Sequence, residues 1–90
     1  MKKAIITVVG KDTVGIIAKV CVYLAENNVN ILDISQTVLQ GYFTMTMVVD
    51  ASDANVEIGE LVQQMDAYGR ERNLSIRVQR EDIFDALHKI

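Results

Sequence analysis

Residues 30–50 read NILDISQTVLQGYFTMTMVVD, and this stretch decides the fold. Within residues 30–39, Leu32, Ile34 and Val38 fall on one face and Asp33, Ser35 and Thr37 on the other. Within residues 42–50, Phe43, Met45, Met47 and Val49 share a face, with Thr44, Thr46 and Asp50 opposite. A period of two belongs to strands whose two faces differ in burial. Between them stands Gln40-Gly41, a two-residue connection with glycine second, which is a hairpin signal weaker than Asn-Gly. Two long antiparallel strands are expected.

Outward from the hairpin the period changes to that of a helix. On the N-terminal side Ile17, Val20, Cys21 and Leu24 recur at helical spacing between Thr13 and about Glu26. Asp12 or Thr13 suits its N-cap, and Asn27 or Asn28 suits a left-handed turn at its end. On the C-terminal side Ile58, Leu61, Val62, Met65 and Tyr68 trace a stripe between about Asn55 and Arg72. Beyond each helix lies another strand. Residues 3–9 are rich in β-branched side chains, and Leu74–Gln79 alternates, with Leu74, Ile76 and Val78 inward. The order is an α+β, ferredoxin-like βαββαβ sandwich, a four-stranded antiparallel sheet with two helices on one face. Right-handed crossovers place the first and third strands centrally. Thr37, Thr44, Thr46 and Arg77 then line the helix-free face, with Ile5, Val9 and Val48 as an apolar strip that a tail helix or a second sheet would cover.

Ninety residues suffice for one core and not for two. Residues 1–80 make the domain, and residues 81–90 read as a C-terminal amphipathic helix. In that tail Ile83, Phe84, Leu87 and Ile90 form an apolar stripe, with Glu81 and Asp82 at the start and Lys89 at the end. Burying four such side chains yields ~6–12 kcal/mol, whereas ordering ten residues costs about 10–20 kcal/mol in backbone entropy. Such a helix frays alone and is expected to dock, on its own sheet or on a second subunit. A net charge of −3 disfavours a general phosphate-backbone binder. The lone Cys21 fits a reducing compartment. No apolar run approaches the ~18 residues of a membrane span. The chain reads as cytoplasmic, with no membrane partner.

The segment Gly10-Lys11-Asp12-Thr13-Val14-Gly15-Ile16 joins the first strand to the first helix. Amides at a helix start carry partial positive charge and suit a carboxylate or phosphate. Gly10 and Gly15 permit close approach of ligand or backbone; from the residues alone, a capped helix start with glycines serving the turn is the simpler reading. The spacing is not that of a P-loop. Before the second strand, Asn27 and Asn28 read as helix-stop residues, while Asn30 offers donors and an acceptor to the ammonium and carboxylate of a free amino acid. The first loop and Asn30 are expected at opposite ends of one subunit's sheet, facing each other only across a dimer. His88 has no acid–base neighbour in sequence, Cys21, Met45, Met47 and Met65 sit at core phases, and no zinc spacing or nucleophilic triad can be assembled. No catalytic residue, metal or cofactor is expected.

The Gly-x-Asp-x-x-Gly-Ile pattern at residues 10–16, followed by Asn-x-Asn-Ile-x-Asp at 28–33, resembles the ACT domain family. The likeness spans residues 3–79 in the same element order and is nearest to stand-alone single-domain members, with similarity to glycine-cleavage regulators. The resemblance implies a small effector, most often an amino acid, bound by a dimer or a higher assembly. It places Asp12 and the amides of Thr13, Val14, Gly15 and Ile16 at the effector loop, and Asn30 at a second binding position. The expected function is a regulatory, non-enzymatic homodimer that binds an amino acid and signals through a partner protein. The alternative is an interaction module with no ligand. An acylphosphatase-like hydrolase would need an arginine in the first loop, which carries Lys11 instead. An RNA-recognition sheet would show aromatics where Thr7, Thr44 and Thr46 stand.

Overall fold

The computed structural model describes residues 2–11 and 15–80. Six elements follow in order: β1 (Lys3–Lys11), α1 (Ile16–Glu26), β2 (Asn30–Leu39), β3 (Tyr42–Asp50), α2 (Ile58–Glu71) and β4 (Ser75–Arg80). The sheet is antiparallel in the order β2-β3-β1-β4, with β1 and β3 central as the crossovers require. The expected tail helix lies outside the described residues.

Register sorts the side chains into two faces. Val78, Ile6, Met47 and Ile34 form one helix-side row, and Ile76, Val8, Met45 and Gln36 form the next. Ile6, Val8, Met45, Met47 and Val49 are fully buried there with Val20 and Leu24 of α1 and Leu61 and Met65 of α2. On the other face run the rows Gln79–Ile5–Val48–Asp33, Arg77–Thr7–Thr46–Ser35 and Ser75–Val9–Thr44–Thr37. The expected threonines, Arg77 and the Ile5, Val9, Val48 strip all fall on this helix-free side.

The edge strand β2 departs from simple alternation. Ile31 pairs with Val49 and Asp33 with Val48, so Leu32 is the unpaired extra residue of a bulge, between Ile31 on the helix-side face and Asp33 on the other. Ile34 and Val38 do share the helix-side face, yet both stay exposed, because β2 is an edge that α1 barely covers.

Local chemistry sets the turns. Gln40 and Gly41 both have positive φ, 51° and 82°, as a type I′ hairpin demands. Both helices end in the same way. Asn28 (φ 59°) and Asn73 (φ 58°) adopt the left-handed conformation. Val29 N–H then donates to Leu24 C=O at 2.9 Å, and Leu74 N–H to Gly69 C=O at 2.8 Å. The inner bonds, Asn28 N–H to Ala25 C=O and Asn73 N–H to Arg70 C=O, complete two Schellman motifs. Asn28 Nδ2 also donates to the Asp53 carbonyl at 2.9 Å, and Asn55 N–H to the Asn27 carbonyl at 2.9 Å. Asn27 and Asn28 are thus structural, tying the end of α1 to the segment before α2.

Candidate functional site

The start of α1 lies at the end of the sheet where β1 finishes. Lys11 stands opposite Tyr42, which stands opposite Leu39 at the hairpin. The N-cap of α1 is Gly15, left-handed at φ 84° with no side-chain cap, so the cap expected at Asp12 or Thr13 falls two or three residues later. Glycine suits that conformation because an L side chain would be strained there. A Cβ built on Gly15 would meet nothing within 4 Å, so there is open space beside it. Asp12, Thr13 and Val14 lie outside the described residues; of Ile16 the backbone alone is described, as the first helical residue.

Electrostatically the two helices are unlike. In α2, Glu60 lies in the first turn and Arg70 in the last, so side chains complement both ends of its dipole. In α1 the first turn has no acidic residue and includes Lys19. The positive end of α1 is therefore reinforced by a cation rather than offset, which suits an anionic group such as a carboxylate.

Gly10 has a separate reason for lacking a side chain. A Cβ there would collide with Leu74 Cδ2. Leu74 is buried and is held to the end of α2 by the hydrogen bond its N–H donates to the Gly69 carbonyl. Gly69 in turn admits β4 against α2, since a Cβ would stand 2.7 Å from the Leu74 carbonyl oxygen. Glycine at 10 and 69 thus builds a floor of Leu74 beneath the β1 end of the loop. Beside Gly69 the Arg72 guanidinium lies 3.9 Å from the centroid of the half-buried Tyr68 ring. Sequence reading assigned Leu74 to the core and missed this supporting role; the glycine at 69 within a helical stripe was the available signal.

Asn30 is not brought to this place. It pairs with Asp50, which pairs with Lys3 at the opposite end of β1, eight residues or about 27 Å from Lys11. The expected separation within one subunit is what the register gives. Asn30 is exposed in a polar corner. There Ser52 donates through Oγ at 2.5 Å and its amide at 2.9 Å to Asp50 Oδ1, and the Lys2 amide donates to Ser52 Oγ at 2.8 Å. The two bonds from Ser52, the hydroxyl's foremost, hold the Asp50 carboxyl below its usual range.

Two phenols complete the polar inventory. The hydroxyl oxygens of Tyr23 and Tyr68 are out of contact with solvent and have no hydrogen-bond partner. Burial, and then the Glu60 carboxylate, raise the Tyr23 pKa above its ordinary value. Cys21 is a half-buried free thiol. Among the described residues no group of three acidic, His or Cys side chains could hold a metal ion, and no helix is long and apolar enough to cross a membrane.

A family model described as the ACT domain matches residues 2–79. The chain belongs to the ACT domain family. It is 54% identical over 90 residues to a UPF0237 protein of Bifidobacterium longum, covering all of both chains. Among solved structures, the ACT domain protein from Streptococcus pneumoniae superposes with a TM-score of 0.81 at 49% identity, over 93% of this chain and 94% of that one. A putative glycine cleavage system transcriptional repressor follows at 0.77 and 25% identity, over 88% of this ACT chain and 45% of that protein. ACT domains typically bind ligands and regulate, and the βαββαβ sandwich is the ACT ferredoxin-like fold.

Proposed function

We propose that this ACT domain is a regulatory homodimer that binds a small amino acid at the start of α1 and signals through a partner protein. One observation carries the reading: α1 begins on an uncapped, left-handed Gly15 with open space beside it and Lys19, but no acid, in its first turn. The effector's carboxylate meets the amides of residues 13–16. Its ammonium meets Asp12 or Asn30 of the partner subunit. The domain acts by coupling, typically worth ~1–3 kcal/mol. The likeness to a putative glycine cleavage system transcriptional repressor supports a regulatory role.

The experiment is a thermal melt with each of the twenty amino acids. A ligand at a hundred times its Kd adds about 2.7 kcal/mol, and a domain of this size shifts by about 4–8 °C per kcal/mol. The expected shift exceeds about 10 °C for the cognate amino acid, with matching heat by calorimetry. Silence from all twenty overturns ligand binding. The second reading, a dimerisation module with no ligand, then stands on a different observation: the ten-residue edge strand β2 with exposed Leu32, Ile34 and Val38.

A further inference from the structure

The helix-free face of the sheet has an uneven chemistry. Near its β4 and β1 side stand Arg77 and Lys3, in its middle the apolar pair Ile5 and Val48, and toward its β3 and β2 side Asp50 and Asp33. Ile5 and Val48 are half-buried neighbours in one row, Gln79–Ile5–Val48–Asp33. β4 ends at Arg80, opposite Ala4 and immediately beside that row. Whatever follows Arg80 starts at the row's edge.

We infer that residues 81–90 form a helix that crosses this row and covers Ile5 and Val48 of their own subunit. Three matches carry the assignment. The first is length: four strands spaced about 4.8 Å span about 14 Å, and ten helical residues span about 15 Å. The second is spacing: about three helical residues advance one strand, which sets Ile83 and Phe84 over β1, Leu87 over β3 and Ile90 over β2. The third is charge: Glu81, Asp82 and Asp85 start on the side of Arg77 and Lys3, and Lys89 arrives near Asp33. The groove between α2 and β4, floored by Val62, Ile76 and Val78, is the competing seat. Asp66 and Arg77 both line that groove, and Asp66 is paired with Arg70 at 3.1 Å, so it is span and spacing rather than charge that favour the open face over this seat. Seating the tail on the open face also leaves that face closed to a second sheet, so two copies must pair through an edge.

The test uses the full chain with Cys21→Ser and a pair of new cysteines, Val48→Cys with Leu87→Cys. Both sites allow a thiol without cutting into the helix-side core, and circular dichroism checks that each variant folds. Under mild oxidation the expected product is a disulfide within one chain, migrating as monomer and independent of protein concentration. A control pair, Val62→Cys with Leu87→Cys, stays reduced. A second measurement uses Val48→Cys alone: its alkylation rate rises when Leu87→Asp is added. Cross-linking between chains, cross-linking of the control pair in place of the first, or an alkylation rate unmoved by Leu87→Asp each overturns the assignment. Because none of these readouts involves an amino acid, their failure is distinct from failure of effector binding.

Discussion

Replacing Gly69 with alanine should destabilise this protein even though the position is helical. Alanine is favoured over glycine within a helix by ~1 kcal/mol. Against that, the new methyl carbon would stand 2.7 Å from the Leu74 carbonyl oxygen and 3.2 Å from Ile76 Cγ1. The carbonyl is backbone, and its residue is anchored by the hydrogen bond from Leu74 N–H to the carbonyl of Gly69 itself, so α2 and β4 must separate. Overpacking of this kind costs about 1–3 kcal/mol. Gly59, in the first turn of the same helix, supplies the comparison, because a Cβ there meets nothing within 4 Å. Gly59→Ala should gain up to ~1 kcal/mol, and Gly69→Ala should lose up to ~2 kcal/mol after its propensity gain is subtracted. Thermal melts of the two variants should therefore differ by at least about 4 °C, at about 4–8 °C per kcal/mol. The displaced Leu74 also supports Gly10, so Gly69→Ala should weaken effector binding more than Gly59→Ala does. Equal stabilisation by the two alanines would refute the close-approach argument.

Other perturbations act through single groups. Tyr23→Phe removes a buried hydroxyl with no partner and should raise stability by about 1 kcal/mol in urea unfolding. Because the folded Tyr23 pKa is raised, the intact protein should lose stability as pH climbs from about 10 through the folded value, and the variant should lose less. Gln40→Asn places a residue better suited to φ 51° in the hairpin and should gain about 0.5 kcal/mol by thermal melt. Ser52→Ala should return the Asp50 pKa upward in an NMR titration. In the parent, the stability contributed by Asp50 is present above about pH 4 and declines as pH falls through its depressed folded value.

Most of the fold was legible because period and punctuation agreed. The alternation around Gln40-Gly41 marked the β2–β3 hairpin, and the Ile58–Tyr68 stripe marked α2 to within three residues of its observed start. The α1 start was misplaced because Asp12 and Thr13 are good caps by residue type, whereas the chain turns into the helix at Gly15, where left-handed geometry outweighs side-chain capping. The bulge at Leu32 was hidden because one extra residue leaves the hydrophobic pattern intact while shifting which residue faces inward. Asn73 went unremarked although it closes α2 as Asn28 closes α1. At the candidate site, the opposite placement of Asn30 and the first loop followed from topology alone. The packing role of Gly10 did not, since it depends on a rotamer of Leu74 sixty-four residues away.

That separation of Asn30 from α1 makes ligand affinity a question of assembly. About 27 Å of sheet divides the two within a subunit, so any effector touching both requires a second copy. The β2 edge is suited to supply it: antiparallel pairing of two β2 strands sets the Asn30 end of one beside the hairpin end of the other, where α1 begins. A charge at an exposed edge position opposes such pairing. Ile34, 43% exposed on β2, is the position to use, because Ile34→Lys spares the buried core. The variant should fold with an unchanged circular dichroism spectrum and sediment as a monomer. Its calorimetric affinity for the cognate amino acid should fall at least about tenfold, equivalent to ~1.4 kcal/mol or one lost charge-assisted contact. In the parent, apparent affinity should strengthen as protein concentration rises through the dimer's dissociation constant. A monomeric Ile34→Lys that binds as tightly as the parent would show that one subunit holds the whole site, and Asn30 would then be a strand-end residue with no part in recognition.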